Sequence, residues 1–254
     1  MTGPSTYPVL LHGFMGSATA WGDRLVDGIT GAGLTPVLVD LPGHGRDAGR
    51  SDPAAFTLGG ALAHVTRAGD WPTDLVGYSL GGRIALHFAA AYPERVRRLV
   101  LESASPGLAT EEERRMRRAS DEALATQVLD EGVAAFVDAW EAQPLFASRA
   151  GIDVAERARQ RALRVRNDAG SIAATLRGLG TGRLPSLWGR LPEIEVPTLL
   201  VVGALDATYA EIARRMADAM PHARVAEVAE AGHTVHLEQP NAWLAAVTGF
   251  LRAE

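Results

Sequence analysis

Residues 77–81 read Gly-Tyr-Ser-Leu-Gly, a G-x-S-x-G pattern that ends a short apolar run and opens a helical one. A serine on such a strand-to-helix turn stands exposed at its tip, and small residues two before and two after it let strand and helix approach closely. A lone serine hydroxyl is inert and needs a base. Seven histidines are available. His233, in Glu-Ala-Gly-His-Thr-Val-His, follows the last apolar run and precedes a helical segment, while Asp206 ends the preceding run in Val-Val-Gly-Ala-Leu-Asp. Ser79, Asp206 and His233 thus supply a hydroxyl, an orienting acid and a general base. Glu102, at the end of Leu-Val-Leu-Glu-Ser, competes with Asp206 for the acid.

Stabilisation of a developing oxyanion needs two aligned donors. Leu-Leu-His-Gly-Phe closes the first apolar run. The backbone N–H of Phe14 there, with that of Leu80 at the start of the helix after Ser79, would form such a hole, helped by the helix dipole. Arg83 lies four residues after Ser79, hence on the same helix face. A buried arginine needs an anionic partner, which a carboxylate substrate would provide; the alternative is a surface arginine paired with an acid. The remaining histidines have plainer readings. His64 and His87 sit in helices as surface or packing residues, His222 lies in a loop, and His44 braces the turn Asp-Leu-Pro-Gly-His-Gly. His236, three residues after His233, could start a two-histidine metal pair, but no third ligand suggests itself, so no metal is expected.

These side chains must be held by a fold, and the rest of the chain limits which. The 254 residues are 47% apolar, which suits one globular domain with room for an insertion. A formal charge of -5 gives no reason to expect nucleic acid. No apolar run is long enough to span a bilayer, and the first residues lack the basic lead of a signal peptide, so the cytoplasm is expected. Cysteine and lysine are both absent. That excludes thiol nucleophiles, disulfides, Cys-ligated zinc, Schiff bases and P-loops.

Apolar runs at 7–13, 35–43, 73–79, 97–105, 197–206 and 223–232 read as strands buried on both faces, as in a parallel sheet. Helical patterns near 18–31, 57–69, 80–92, 209–219 and 239–252 alternate with them, which predicts a doubly wound α/β sheet. From 106 to about 192 no strand is evident. Charged, Ala-rich amphipathic stretches there predict a helical cap inserted before the last two strands, with core segments 1–105 and 193–254. The order Ser, Asp, His along the chain is that of the α/β-hydrolase fold: a mostly parallel sheet flanked by helices. The short segment before Leu-His-Gly predicts a sheet trimmed of two antiparallel strands.

The segments VLESASPGL, EEERRMRRASDEALA, FVDAWEAQPLFAS, LRGLGTGRLPSLW and AGHTVHLEQP resemble the 2-succinyl-6-hydroxy-2,4-cyclohexadiene-1-carboxylate (SHCHC) synthase family of menaquinone biosynthesis. The likeness runs over nearly the whole chain, including the insertion. It implies a lyase that eliminates pyruvate from a polyanionic cyclohexene bearing an enolpyruvyl ether, a carboxylate and a succinyl arm. It further implies that Ser79, Asp206 and His233 form the triad and that Tyr78 and Arg83 line the pocket. Arg117 and Trp140 correspond to a substrate-binding arginine and a lining tryptophan; exposed charge and cap core are their plainer readings. Arg164 is taken over Arg166 as a further arginine. Gly203-Ala204-Leu205-Asp206 departs from the family's G-E-x-D but keeps the acid. A small polyanionic substrate is the expected partner, with no cofactor; the oligomeric state stays open. Two other functions use the same fold: a serine hydrolase acting on acidic esters or carbon–carbon bonds, and a silent ligand-binding protein.

Overall fold

A computed structural model describes residues 7–253. Six strands form one sheet in the order β2-β1-β3-β4-β5-β6, with every neighbouring pair parallel. They are β1 (Val9–Leu11), β2 (Val37–Val39), β3 (Thr73–Tyr78), β4 (Val96–Glu102), β5 (Thr198–Gly203) and β6 (Ala223–Val228). Five fall within the apolar runs, and β4 begins one residue before its run, at Val96. Among the described residues no antiparallel strand joins them, so the sheet is parallel throughout rather than mostly so.

The near-continuous apolar content of the central strands follows from helices on both faces, whereas the edge strands β2 and β6 are only partly buried and β6 exposes Arg224 and Glu227. Val9, Leu11, Leu75, Leu99, Leu101 and Val202 pack toward α2 (Leu58–Thr66), α3 (Leu80–Ala91) and α7 (Ala207–Ala219). Their alternates Leu10, Val76, Val100 and Val201 face α1 (Gly22–Gly31) and α9 (Pro240–Leu251), where Trp243 is fully buried. Truncating Trp243 or Phe88 to Ala would cost about 3–5 kcal/mol through lost transfer energy and the cavity left behind. The chain passes from β1 outward to β2 and returns past β1 to β3, so the strand order reverses between β1 and β3. Open α/β sheets bind ligands beyond the carboxyl ends of their strands at such a switch point.

Between β4 and β5 lie α4 (Glu111–Glu141), α5 (Val154–Val165) and α6 (Ala169–Leu179). Thr110 and Glu113 close a capping box at the start of α4: the Glu113 N–H donates to the Thr110 hydroxyl at 3.2 Å, and the Thr110 N–H donates to Glu113 at 2.9 Å. α4 is two helical segments that meet at a kink at Gly132, whose φ of 81° is not helical. Val128, Phe136 and Val137 of α4 pack on Ile172 and Leu176 of α6, with Met15 from the loop after β1 inserted among them. That contact seats the inserted helices above the carboxyl end of β1. The short α8 (Val235–Glu238) precedes α9.

Candidate active site

Ser79 stands between β3 and α3 with φ 49° and ψ -108°, a strained left-handed conformation for a residue with a side chain. The flanking glycines make the turn possible. A Cβ on Gly77 would lie 2.5 Å from the Gly81 carbonyl oxygen, and one on Gly81 would lie 2.3 Å from that of Leu11. Neither position tolerates a side chain.

His233, in the loop between β6 and α8, donates from Nδ1 to Asp206 at 2.7 Å. The Ser79 hydroxyl lies 3.4 Å from its Nε2. Catalytic hydrogen bonds are often this long before substrate tightens them. Asp206 also accepts from the Tyr209 backbone N–H at 3.2 Å, capping α7, so the carboxylate is fixed by the helix that follows it. Phe146, Tyr209 and Tyr78 surround the imidazole at 5.8, 4.6 and 5.8 Å between ring centres. Burial pushes both the Tyr78 and the Tyr209 phenol above the usual tyrosine range, so each stays neutral beside the imidazole.

The competing acid is occupied elsewhere. Glu102 accepts from His236 Nδ1 at 2.7 Å, from the His236 backbone N–H at 3.2 Å and from the Trp243 indole at 2.8 Å. His236 is therefore the partner of Glu102, and among the described residues no group of three or more His, Cys, Asp or Glu side chains could hold a metal ion.

Ser79 opens onto a cavity with two lobes that share Phe14, Trp140 and Phe146 as their boundary. The first, about 190 Å³, is lined by Leu80, Arg83, Arg117, Tyr209 and His233. Arg83 is half-buried and donates to the Thr181 hydroxyl; its buried Nε has no acceptor among the described residues, and desolvation lowers its pKa. Arg117 donates to Asp121 at 2.7 Å and keeps part of its guanidinium exposed to the lobe. The second lobe, about 40 Å³, is lined by Tyr78, Arg149, Gln160, Arg164 and Thr234. Burial, and then the nearby Arg149 charge, push the Arg164 pKa down to about 10, although Arg164 donates to Glu141 at 2.7 Å. Arg166 lines a different hollow, with Ser17 and Asn167, so of the two candidates Arg164 is the one beside Ser79. Trp140 meets Phe14 edge-on at 5.1 Å and stacks on Phe136 at 5.9 Å.

Among the described residues the backbone N–H groups of Phe14 and Leu80 have no backbone acceptor, whereas the next one, on Gly81, donates to the His12 carbonyl at 3.1 Å. Both residues line the first lobe beside Ser79. Sequence reasoning missed Arg149, Phe146, Tyr209 and Thr234. Thr234 and Tyr209 were within reach, being next to His233 and three residues after Asp206. Arg149 and Phe146 lie in a 3-10 segment (Pro144–Gly151) with no amphipathic period to mark a pocket face.

This assembly is that of an α/β-hydrolase, and residues 9–247 match the alpha/beta hydrolase family. A putative 2-succinyl-6-hydroxy-2,4-cyclohexadiene-1-carboxylate synthase of Bacillus subtilis (strain 168) is 40% identical over 96% of this chain and 89% of its own length. The synthase of that name from Klebsiella pneumoniae (strain 342) is 33% identical over 98% of this chain and 96% of its own. The solved structure of MenH from S. aureus superposes with a TM-score of 0.93 at 32% identity, covering 99% of this chain and 95% of that one. The chain belongs to the 2-succinyl-6-hydroxy-2,4-cyclohexadiene-1-carboxylate synthase family of alpha/beta hydrolases.

Proposed function

We propose that this protein is an SHCHC synthase, a lyase of menaquinone biosynthesis that eliminates pyruvate from 2-succinyl-5-enolpyruvyl-6-hydroxy-3-cyclohexene-1-carboxylate. The observation that carries this reading is the Ser79–His233–Asp206 chain opening between two arginine-bearing lobes. A plain ester hydrolase has no need for so much positive charge; a substrate with carboxylates on separate arms does.

The reaction removes a ring proton next to the succinyl carbonyl. His233 Nε2 takes the hydroxyl proton of Ser79, and the resulting alkoxide takes the ring proton. Asp206 holds the imidazole in the tautomer that leaves Nε2 free and stabilises the imidazolium. Charge spreads onto the succinyl oxygen, where the Phe14 and Leu80 N–H groups receive it. The electron pair then moves around the ring, a second double bond forms, and the bond to the enolpyruvyl oxygen breaks. Pyruvate leaves as its enolate and is protonated on carbon, restoring the neutral histidine. Ser79 acts as a base and forms no acyl-enzyme.

In this reading residues 106–192 form a cap over a core of 1–105 and 193–254. Arg83, Arg117 and Arg164 hold substrate carboxylates, while Tyr78 and Trp140 wall the ring. No helix among the described residues is long and apolar enough to cross a membrane. A multiply anionic substrate does not cross a bilayer unaided, so the enzyme works where the substrate is made, in the cytoplasm.

Pyruvate release tests the proposal, followed through a coupled dehydrogenase with substrate generated in situ. Rapid release by the wild type is expected, with Ser79→Ala slower by roughly 10²–10⁴-fold. Release no faster than the spontaneous decay of the substrate would refute it, and an acyl group on Ser79 detected by mass spectrometry during turnover would refute the base mechanism.

A further inference from the structure

We propose that Arg149 is a substrate-binding residue which, beside Arg164, forms a carboxylate site on the Tyr78 side of Ser79; the identity of the carboxylate rests on the synthase reading above. The two lobes meet at Ser79, so a substrate reacting there reaches into both. In the second lobe Arg164 is already matched by Glu141 at 2.7 Å, which leaves that pair close to neutral. The uncompensated charge belongs to Arg149. Among the described residues it pairs with no acid, its Nε donates to the neutral Thr234 hydroxyl at 3.0 Å, and its terminal nitrogens have no acceptor. The guanidinium lies 4.3 Å over the Phe146 ring, which fixes its plane while leaving its outer edge free for a bidentate anion. The lobe and its outer mouth set Arg149, Arg157 and Arg164 against the one carboxylate of Glu141.

The anchor matters as much as the charge. Thr234 directly follows His233 and shares a 3.2 Å hydrogen bond with the Tyr78 hydroxyl, and Tyr78 directly precedes Ser79. A carboxylate held by Arg149 is thus held relative to the base and to the serine, and one substrate arm is set in register with the proton to be removed. The arm is the one that Arg83 and Arg117 do not hold.

The test compares wild type with Arg149→Gln and Arg149→Lys. KM and kcat come from pyruvate release, and calorimetry gives affinities for pyruvate and for 2-succinylbenzoate, an aromatic analogue of the product that needs no turnover. The glutamine variant is expected to raise KM and to weaken at least one of the two anions roughly tenfold or more, with kcat changed less than about threefold. Loss of the 2-succinylbenzoate affinity assigns Arg149 to an arm the product keeps, and loss confined to KM or pyruvate assigns it to the leaving arm. The lysine variant is expected to recover part of the loss, since it keeps the charge without the planar fork. KM and both affinities within twofold of wild type would overturn the proposal, as would a fall in kcat alone, the mark of a merely structural role. Arg149→Met keeps the stem over Phe146 and repeats the decision if the glutamine variant unfolds. A wild type that binds 2-succinylbenzoate through Arg149 yet releases no pyruvate would sink the synthase reading and leave the carboxylate site standing.

Discussion

Two histidine–carboxylate pairs lie at the carboxyl ends of the neighbouring strands β4 and β5, Glu102–His236 and Asp206–His233, each closed by a 2.7 Å contact from Nδ1. The chemistry of the two contacts is the same; the surroundings differ. His233 turns its other nitrogen toward the Ser79 hydroxyl and the larger lobe. His236 lies among Trp21, Tyr78 and Trp243, at 4.9, 4.8 and 6.4 Å between ring centres, and among the described residues it meets no hydroxyl. Glu102 is fully buried and accepts three hydrogen bonds, tying α8 and α9 to the sheet. A histidine–acid pair is therefore a base or a strut according to what its second nitrogen faces.

The largest effect that separates the pairs falls on Asp206. Asp206→Asn is expected to lower kcat by roughly 10²–10⁴-fold, because the amide no longer stabilises the imidazolium. Asparagine still caps α7, so urea unfolding is expected to stay within about 1 kcal/mol of wild type. Glu102→Ala reverses the pattern. Three buried donors lose their acceptor, and stability is expected to fall by about 3–5 kcal/mol, with kcat per folded molecule within about threefold. A Glu102 variant that stays folded yet loses turnover would break the distinction between base and strut.

A smaller effect concerns the histidines that have no carboxylate partner. Burial, with His44 nearby, pushes His12 down to about 3, and burial pushes His44 and His87 down to about 4. His12 shows why a proton is refused. Its Nδ1–H donates to the Gly13 carbonyl at 2.8 Å, and its Nε2 accepts from the Leu41 N–H at 3.0 Å, so protonation would break the second bond. The unfolded chain takes these protons near pH 6.5 and the folded one does not. Their contribution to stability is thus complete above that pH and is lost as pH falls from 6.5 toward 4. Each histidine adds about 1.4 kcal/mol per pH unit to the slope, and urea titrations at pH 7, 6 and 5 measure the sum. His87→Leu is expected to remove one such share; an unchanged slope would show that His87 is already charged in the folded protein.

Much of the architecture was legible because its causes are local. Strands buried on both faces must be apolar at almost every position, which marked the central strands, and the partly exposed edge strands β2 and β6 still carried enough Val and Ala to be read. The glycines around Ser79 answer to contacts of 2.3–2.5 Å with nearby carbonyl oxygens, and no other residue fits. The inserted helices were legible as helices because their Ala-rich, amphipathic composition is local, and Gly132, non-helical at φ 81°, separates two of them within Glu111–Glu141. The choice between Asp206 and Glu102 was not legible. Both acids end apolar strands, and nothing near Glu102 in sequence reveals that its oxygens face Trp243, 141 residues away. Arg149 was hidden because a 3-10 turn repeats no pattern that separates a pocket face from a solvent face.

Apolar periodicity, the spelling of the turn at Ser79 and the order of serine, acid and histidine are properties of the chain itself, and from them follow the sheet, the elbow and the class of chemistry. Which acid serves His233, which arginines face the serine and which histidine is only a strut depend on contacts between residues far apart in sequence. His233 and Ser79 are 154 positions apart, and a separation of that size is closed only when the two faces of the sheet are packed. Short-range sterics and burial write themselves into neighbouring residues; the direction in which a side chain points across a cavity does not.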